Sequence, residues 1–185
     1  MTSSHSAGSD PACEVAHGHV PAPANTQVLI AVFSSPVAEY LLRFGGDAGF
    51  AAVLVEPDER LAKAARDGGA TVASAGKELT VLSEVPANLD ETADVVVTDH
   101  HRPELGIVLR DALAGQARWI GVMGKPGIPP PHIPALTALG VGPAEIARVH
   151  RPIGLNIGSR TPPEIAIATM AGLIADRNGR PGGFF

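Results

Sequence analysis

A chain of 185 residues is long enough for one α/β domain with a full core and too short for two such domains with linkers. Apolar residues make up 45% and aromatic ones only 4%, so the core must be built from Ala, Val, Leu and Ile, a mixture that suits buried parallel strands under Ala-rich helices. The formal charge of -5 is spread without a basic run, which excludes nucleic acid as a partner; the lone Cys13 excludes an intramolecular disulfide and a thiolate metal cage. Apolar stretches break well before the roughly 20 positions of a membrane span and the N-terminus has no signal-peptide pattern, so no membrane is expected and the cytoplasm is.

Residues Met1 to Asn25 are rich in Ser, Ala, Gly, Pro and His without an apolar period, and read as a flexible tail. His5, His17 and His19 lie there with Cys13, as solvated residues or, were the tail folded, as a grouping able to ligate a transition metal. From Gln27 the pattern changes. Val28 to Phe33 is a short apolar run ended by Ser34-Ser35-Pro36, as expected of a buried strand feeding a helix over Pro36 to Phe44. Gly45 and Gly46 stop that helix, and Phe50 to Val55 is a second buried strand closed by Glu56-Pro57-Asp58. A helix over Asp58 to Arg66, ended by Gly68-Gly69, leads to a third strand at Ala70 to Ala73. Ala75 to Asp90 has no strong period and reads as loop or short helix.

The second half repeats the theme: a strand at Asp94 to Thr98, a helix over Pro103 to Leu113 and a strand at Arg118 to Met123. The proline-rich segment from Gly124 to Pro134 predicts an exposed, extended loop before a helix over Pro134 to Leu139. Pro163 to Asn178 predicts an Ala/Ile-rich helix entered through Thr161-Pro162. The expected fold is α/β: a doubly wound, mostly parallel Rossmann-type sheet flanked by helices over residues 26–185, behind the tail.

Candidate site residues follow from that fold. The first turn lacks the Gly-x-Gly-x-x-Gly of a dinucleotide site, leaving Ser34 and Ser35 as helix caps or phosphate contacts. Glu56 ends the second strand about 20 residues on, where an acid can accept from ribose hydroxyls or stand as a solvated surface residue. Thr98-Asp99-His100-His101 falls at the carboxyl edge of the fourth strand, where ligands of such sheets bind. Two of Asp99, His100 and His101 could converge there to hold a metal or move protons, or Asp99 could simply cap the next helix. Near the C-terminus, Pro152-Ile153-Gly154-Leu155-Asn156-Ile157-Gly158-Ser159-Arg160-Thr161-Pro162-Pro163-Glu164 places two glycines, two hydroxyls and free amides at a helix start, either an anion seat with Arg160 as fixed charge or a tight turn leading into a capped helix.

That last segment resembles the Pro-Ile-Gly-Leu-Asp-Ile-Gly, Thr-Pro-Glu-Glu-Ile-Ala signature of the XdhC/CoxI family's Rossmann domain. Val97-Thr98-Asp99-His100 and Trp119-Ile120-Gly121-Val122-Met123-Gly124 resemble two further family segments in the same order, and the likeness runs from Gln27 to Arg177. The resemblance implies an accessory factor, rather than a catalyst, that binds molybdenum cofactor and helps deliver it to xanthine dehydrogenase or carbon monoxide dehydrogenase. Cofactor contacts are then expected from Gly121, Gly124, Gly154, Asn156, Gly158, Ser159, Arg160 and Thr161. Asn156 stands for the family's Asp, Gly124-Lys125-Pro126-Gly127 for its Gly-Ser-Arg run, and the first turn lacks its Gly-Ala-Gly. The resemblance also sets a homodimer, or a partner polypeptide supplying the family's N-terminal domain, beside the client enzyme. Two other readings stay open: an NAD(P)-dependent oxidoreductase, and a degenerate scaffold that docks a partner protein.

Overall fold

The computed structural model describes residues 11–21, 26–68 and 79–183. Six strands form one sheet: β1 (Val28–Val32), β2 (Ala51–Val55), β3 (Thr80–Leu82), β4 (Ala93–Val97), β5 (Trp119–Val122) and β6 (Val149–His150). All pairings are parallel, in the order β3-β2-β1-β4-β5-β6, the doubly wound arrangement whose order reverses between β1 and β4. Both faces of this sheet must be covered, because parallel pairing leaves no solvated face. Alternation in β1 shows the division: Ile30 and Val32 enter one apolar cluster, Leu29 and Ala31 the other.

On the first face lie α4 (Leu105–Ala114) and α5 (His132–Ala138), which bury Leu109 and Leu136 against Val95, Val97 and Ile120. On the second lie α2 (Pro36–Asp47) and α7 (Pro162–Arg177), with α3 (Glu59–Asp67) at its edge. Leu41, Leu42, Met170 and Leu173 close the second core, and each such side chain contributes about 1.5–3 kcal/mol by leaving water. Helix starts follow their chemistry. Ser35 caps α2 by accepting from Ala38 N at 3.1 Å, and Asp58 caps α3 by accepting from Arg60 N and Leu61 N. In α5, Pro134 sits in the first turn, where its missing N–H has no intrahelical partner to lose, so the helix begins at His132 rather than at Pro134.

The third strand departs from expectation. The segment Ala70 to Ala73 lies outside the described residues, and the edge strand is Thr80–Leu82, inside the stretch that reads as loop or short helix. Three residues are too few to show a period, and pairing with Val53 to Val55 supplies what local pattern does not. Two short elements, α6 (Pro143–Ile146) and β6, carry no sequence signal for the same reason. Among the described residues of the expected flexible tail, Pro11–Ala16 form a six-residue helix, α1, none of whose residues is buried. Among the described residues no helix is long and apolar enough to cross a membrane.

Candidate functional site

At the switch point, β1 and β4 part at their carboxyl ends and the chain turns away on either side. Phe33 leaves β1 with φ 73, a left-handed conformation that a dinucleotide fingerprint gives to glycine and that costs a buried phenylalanine of order 1–3 kcal/mol. That turn aims Ser34 N at Glu56, whose Oε2 accepts at 2.7 Å. Glu56 is neither solvated nor directed outward: it is fully buried, and Oε1 accepts from Asp58 N at 2.9 Å and Arg102 Nη2 at 3.0 Å. The Arg102 guanidinium also lies 4.8 Å over the Phe33 ring and reaches Glu104. Ser35 Oγ donates to Thr98 Oγ1 at 3.0 Å, and Thr98 Oγ1 lies 2.8 Å from Phe33 O, so the two turns are stitched together. A second cavity of about 300 Å³ opens between α2 and α3, with Ser34 at one end.

The larger cavity, about 640 Å³, lies beyond β4 and β5 along the carboxyl edge. It gathers seven of the expected residues: Asp99 and His100 from one turn, Gly124 from another, and Gly154, Asn156, Gly158 and Ser159 from the C-terminal motif. Asp99 does not cap α4. Its Oδ1 accepts from His101 N at 2.9 Å and fixes the turn that stands the His100 and His101 rings 4.1 Å apart, whereas α4 starts at Leu105 behind an uncapped Glu104. Burial, then the charges of His101 and Arg151, lower the His100 pKa below its ordinary 6.5, favouring a neutral imidazole. Among the described residues no three His, Cys, Asp or Glu side chains converge as metal ligands.

The opposite wall is the motif loop, pinned to α7. Leu155 N donates to Ala168 O at 3.0 Å. Gly154 has φ +85, and a Cβ on Gly172 would come 2.9 Å from the Gly154 Cα, so bare backbone on both sides permits this contact. The helix start itself is closed to an outside anion. Glu164 Oε2 accepts from Arg160 N at 2.7 Å and Thr161 N at 3.1 Å, and those two bonds hold its carboxyl below the usual carboxylate range. Arg160 and Thr161 stand outside the cavity, with the Arg160 side chain exposed. Gly121 lies in the sheet beneath it: a Cβ there would overlap the Trp119 ring and the Ile153 side chain.

Three further residues at this edge are not among the expected cofactor contacts, although His101 is weighed beside His100. Lys125 and His101 line the cavity, and Arg151, directly before the motif, lies behind Gly124. Their signals were a cation inside a proline-rich loop, a second histidine, and a cation bordering the distinctive segment.

A family model described as the XdhC Rossmann domain matches residues 29–173. The chain is 38% identical over 65 residues to the uncharacterized protein YqeB of Escherichia coli (strain K12), a match covering 35% of this chain and 12% of that one. Among solved structures, one described as a xanthine dehydrogenase from Bacillus halodurans superposes with a TM-score of 0.63 at 21% identity, over 84% of this chain and 44% of that chain. The chain thus spans less than half the length of either relative, and the structural likeness speaks for the fold. With a family match running through all six strands and on into α7, this chain belongs to the XdhC Rossmann domain family.

Proposed function

We propose that the chain is a maturation factor for a molybdenum hydroxylase, holding the phosphorylated pterin of molybdenum cofactor in the carboxyl-edge cavity and assisting its delivery. The observation that carries this reading is the cavity of about 640 Å³ in which Asp99, His100, Gly124 and the Gly154 to Ser159 loop converge, a volume within the range of sites for small cofactors. The donor set fits such a guest. A flat pterin ring offers in-plane donors and acceptors, which Asp99, Asn156 and Ser159 can meet, while Ile153 and Ile165 offer apolar surface to its faces. A phosphate needs cations, and Lys125 on the wall with Arg151 behind Gly124 can supply them. When bound, the cofactor supplies the redox-active metal centre that the client enzyme uses. The chain's own part is to bind it, orient it and keep water from it.

The client is a xanthine dehydrogenase or carbon monoxide dehydrogenase type enzyme; family membership supports that assignment, as does a structural neighbour described as a xanthine dehydrogenase. The binding unit is a homodimer, or this chain with a partner polypeptide that carries the rest of the machinery. The test is calorimetric titration of the purified protein with molybdenum cofactor and, separately, NAD and NADP. Binding of the pterin alone is expected, because the turn that would take a pyrophosphate already spends Ser34 N on Glu56. Binding of a nicotinamide cofactor alone transfers the protein to the oxidoreductases.

A further inference from the structure

Four backbone amides in or beside the expected anion seats are taken by the chain's own carboxylates: Ser34 N and Asp58 N by Glu56, Arg160 N and Thr161 N by Glu164. Arg102 is spent on Glu56 and Glu104. Among the described residues Arg151, at this edge, pairs with no carboxylate. The Arg151 guanidinium has Nε and Nη2 buried and, among the described residues, without a hydrogen-bond partner, while Nη1 donates to Ile128 O at 2.9 Å. Nε and Nη2 share one edge of the planar guanidinium and form one two-pronged fork, the geometry that matches two oxygens of a phosphate. Guanidinium donors held out of water without an acceptor are unfavourable, a cost that a ligand anion removes.

The surroundings point the same way. The guanidinium lies against Gly124, where a Cβ would overlap Nε, Nη2 and Cζ, and Gly124 itself lines the cavity. Lys125, the next residue, lines it too. His132 is 4% exposed, with Nδ1 buried and unpartnered. Burial, then the Arg151 charge, hold its pKa below 6.5, as expected beside a cation that no carboxylate neutralises. The exposed loop from Lys125 to Pro129 is tied to the guanidinium by Ile128 O.

We propose that Arg151 is the phosphate-recognising residue of this cavity, its Nε and Nη2 gripping two oxygens of a phosphate monoester or diphosphate while Lys125 adds a second charge. The inference rests on the reading of the cavity as a cofactor site and names the residue that reads the cofactor's phosphate end. The anion enters on the Gly124 side as the Lys125 to Pro129 loop lifts, and Gly124 is glycine because any side chain there would occupy the fork.

Calorimetric titration of the full chain with inorganic pyrophosphate at constant ionic strength tests the site without the cofactor. Arg151→Gln should lose about 10- to 100-fold in affinity, the scale of charged hydrogen bonds. Arg151→Lys should lose several-fold because charge without the fork is retained, and Gly124→Ala should lose affinity by crowding the same atoms. Thermal unfolding separates recognition from structure: removing an unpaired buried cation leaves the melting temperature of Arg151→Gln unchanged or raised. Equal pyrophosphate affinity in the parent and Arg151→Gln overturns the assignment, as does no binding by the parent, or a loss that merely follows a fall in melting temperature. The two readings fail separately. Pyrophosphate binding that depends on Arg151, with no binding of molybdenum cofactor, sinks the maturation reading and keeps the anion site; cofactor binding indifferent to Arg151→Gln does the reverse.

Discussion

Replacing Glu56 by alanine removes the acceptor of three donors at once: Ser34 N at 2.7 Å, Asp58 N at 2.9 Å and Arg102 Nη2 at 3.0 Å. Each amide left buried without a partner costs about 1–3 kcal/mol, and breaking a buried ion pair by deleting one member costs about 3–5 kcal/mol. The terms overlap, and Arg102 keeps Glu104 and is 18% exposed at its side chain, so water relieves part of the penalty. Glu56→Ala should therefore lose about 3–5 kcal/mol, which at about 2–4 °C per kcal/mol for a domain of this size lowers the melting temperature by roughly 6–20 °C. Urea unfolding followed by circular dichroism gives the free energy, and Glu56→Gln, which keeps one acceptor oxygen, should fall between. A loss below about 1 kcal/mol in Glu56→Ala would show that the carboxylate does not hold the first turn. Glu56 would then be free for the ribose role that its position suggests, and NAD titration of both proteins would decide it.

At the opposite end of the sheet Asp94, fully buried, accepts from Arg118 Nε at 2.7 Å and from Arg177 Nη2; Asp94→Ala should cost about 3–5 kcal/mol in urea unfolding, far from the cavity. Gly172→Ala places a methyl 2.9 Å from Gly154 Cα and should push the motif loop off α7, costing about 1–3 kcal/mol and weakening cofactor binding in the same titration. Both His100 and His132 have pKa values depressed below 6.5 in the folded chain, chiefly by burial. As pH falls through that value the unfolded chain takes up protons that the folded chain refuses, so stability is full above it and declines below it. Urea midpoints measured from about pH 8 down to about pH 5.5 should fall, and fall less steeply in His132→Gln; a flat profile would contradict the depressed values.

The parts of the fold legible in the sequence are those in which a residue's role is decided by its neighbours along the chain. Val28 to Val32 and Ala93 to Val97 are apolar runs buried on both faces, and Ser35-Pro36 and Thr161-Pro162 announce helix starts. What local pattern cannot carry is pairing at a distance. Thr80–Leu82 becomes a strand through β2, Glu56 is buried because Ser34 turns toward it from 22 residues away, and Arg151 lies behind Gly124 only once β5 and β6 pair. One local signal does bear on the site: Thr161 followed three residues later by Glu164 is a capping box, which states that the amides at that helix start have an acceptor within the chain and are not free for a ligand.

That capping box and the Glu56 turn have one consequence for recognition. A dinucleotide fold ordinarily binds its anion with bare amides and the positive end of a helix, donors whose charge is partial and fixed in place. Here the amides at both expected seats already face carboxylates, so an incoming phosphate would meet negative charge at the very positions where the fold usually offers positive charge. Affinity for a phosphorylated guest must then come from whole charges on side chains. The cavity wall and the shell behind it provide these as Lys125 and Arg151, on the β5 side rather than at the first turn. A guest seated there lies between the Asp99 to His101 turn and the motif loop, displaced from the dinucleotide track along β1. On the proposed reading, the same sheet edge keeps the fold's crevice while the anion contact moves by one crossover, and the glycine-poor first turn accords with that move.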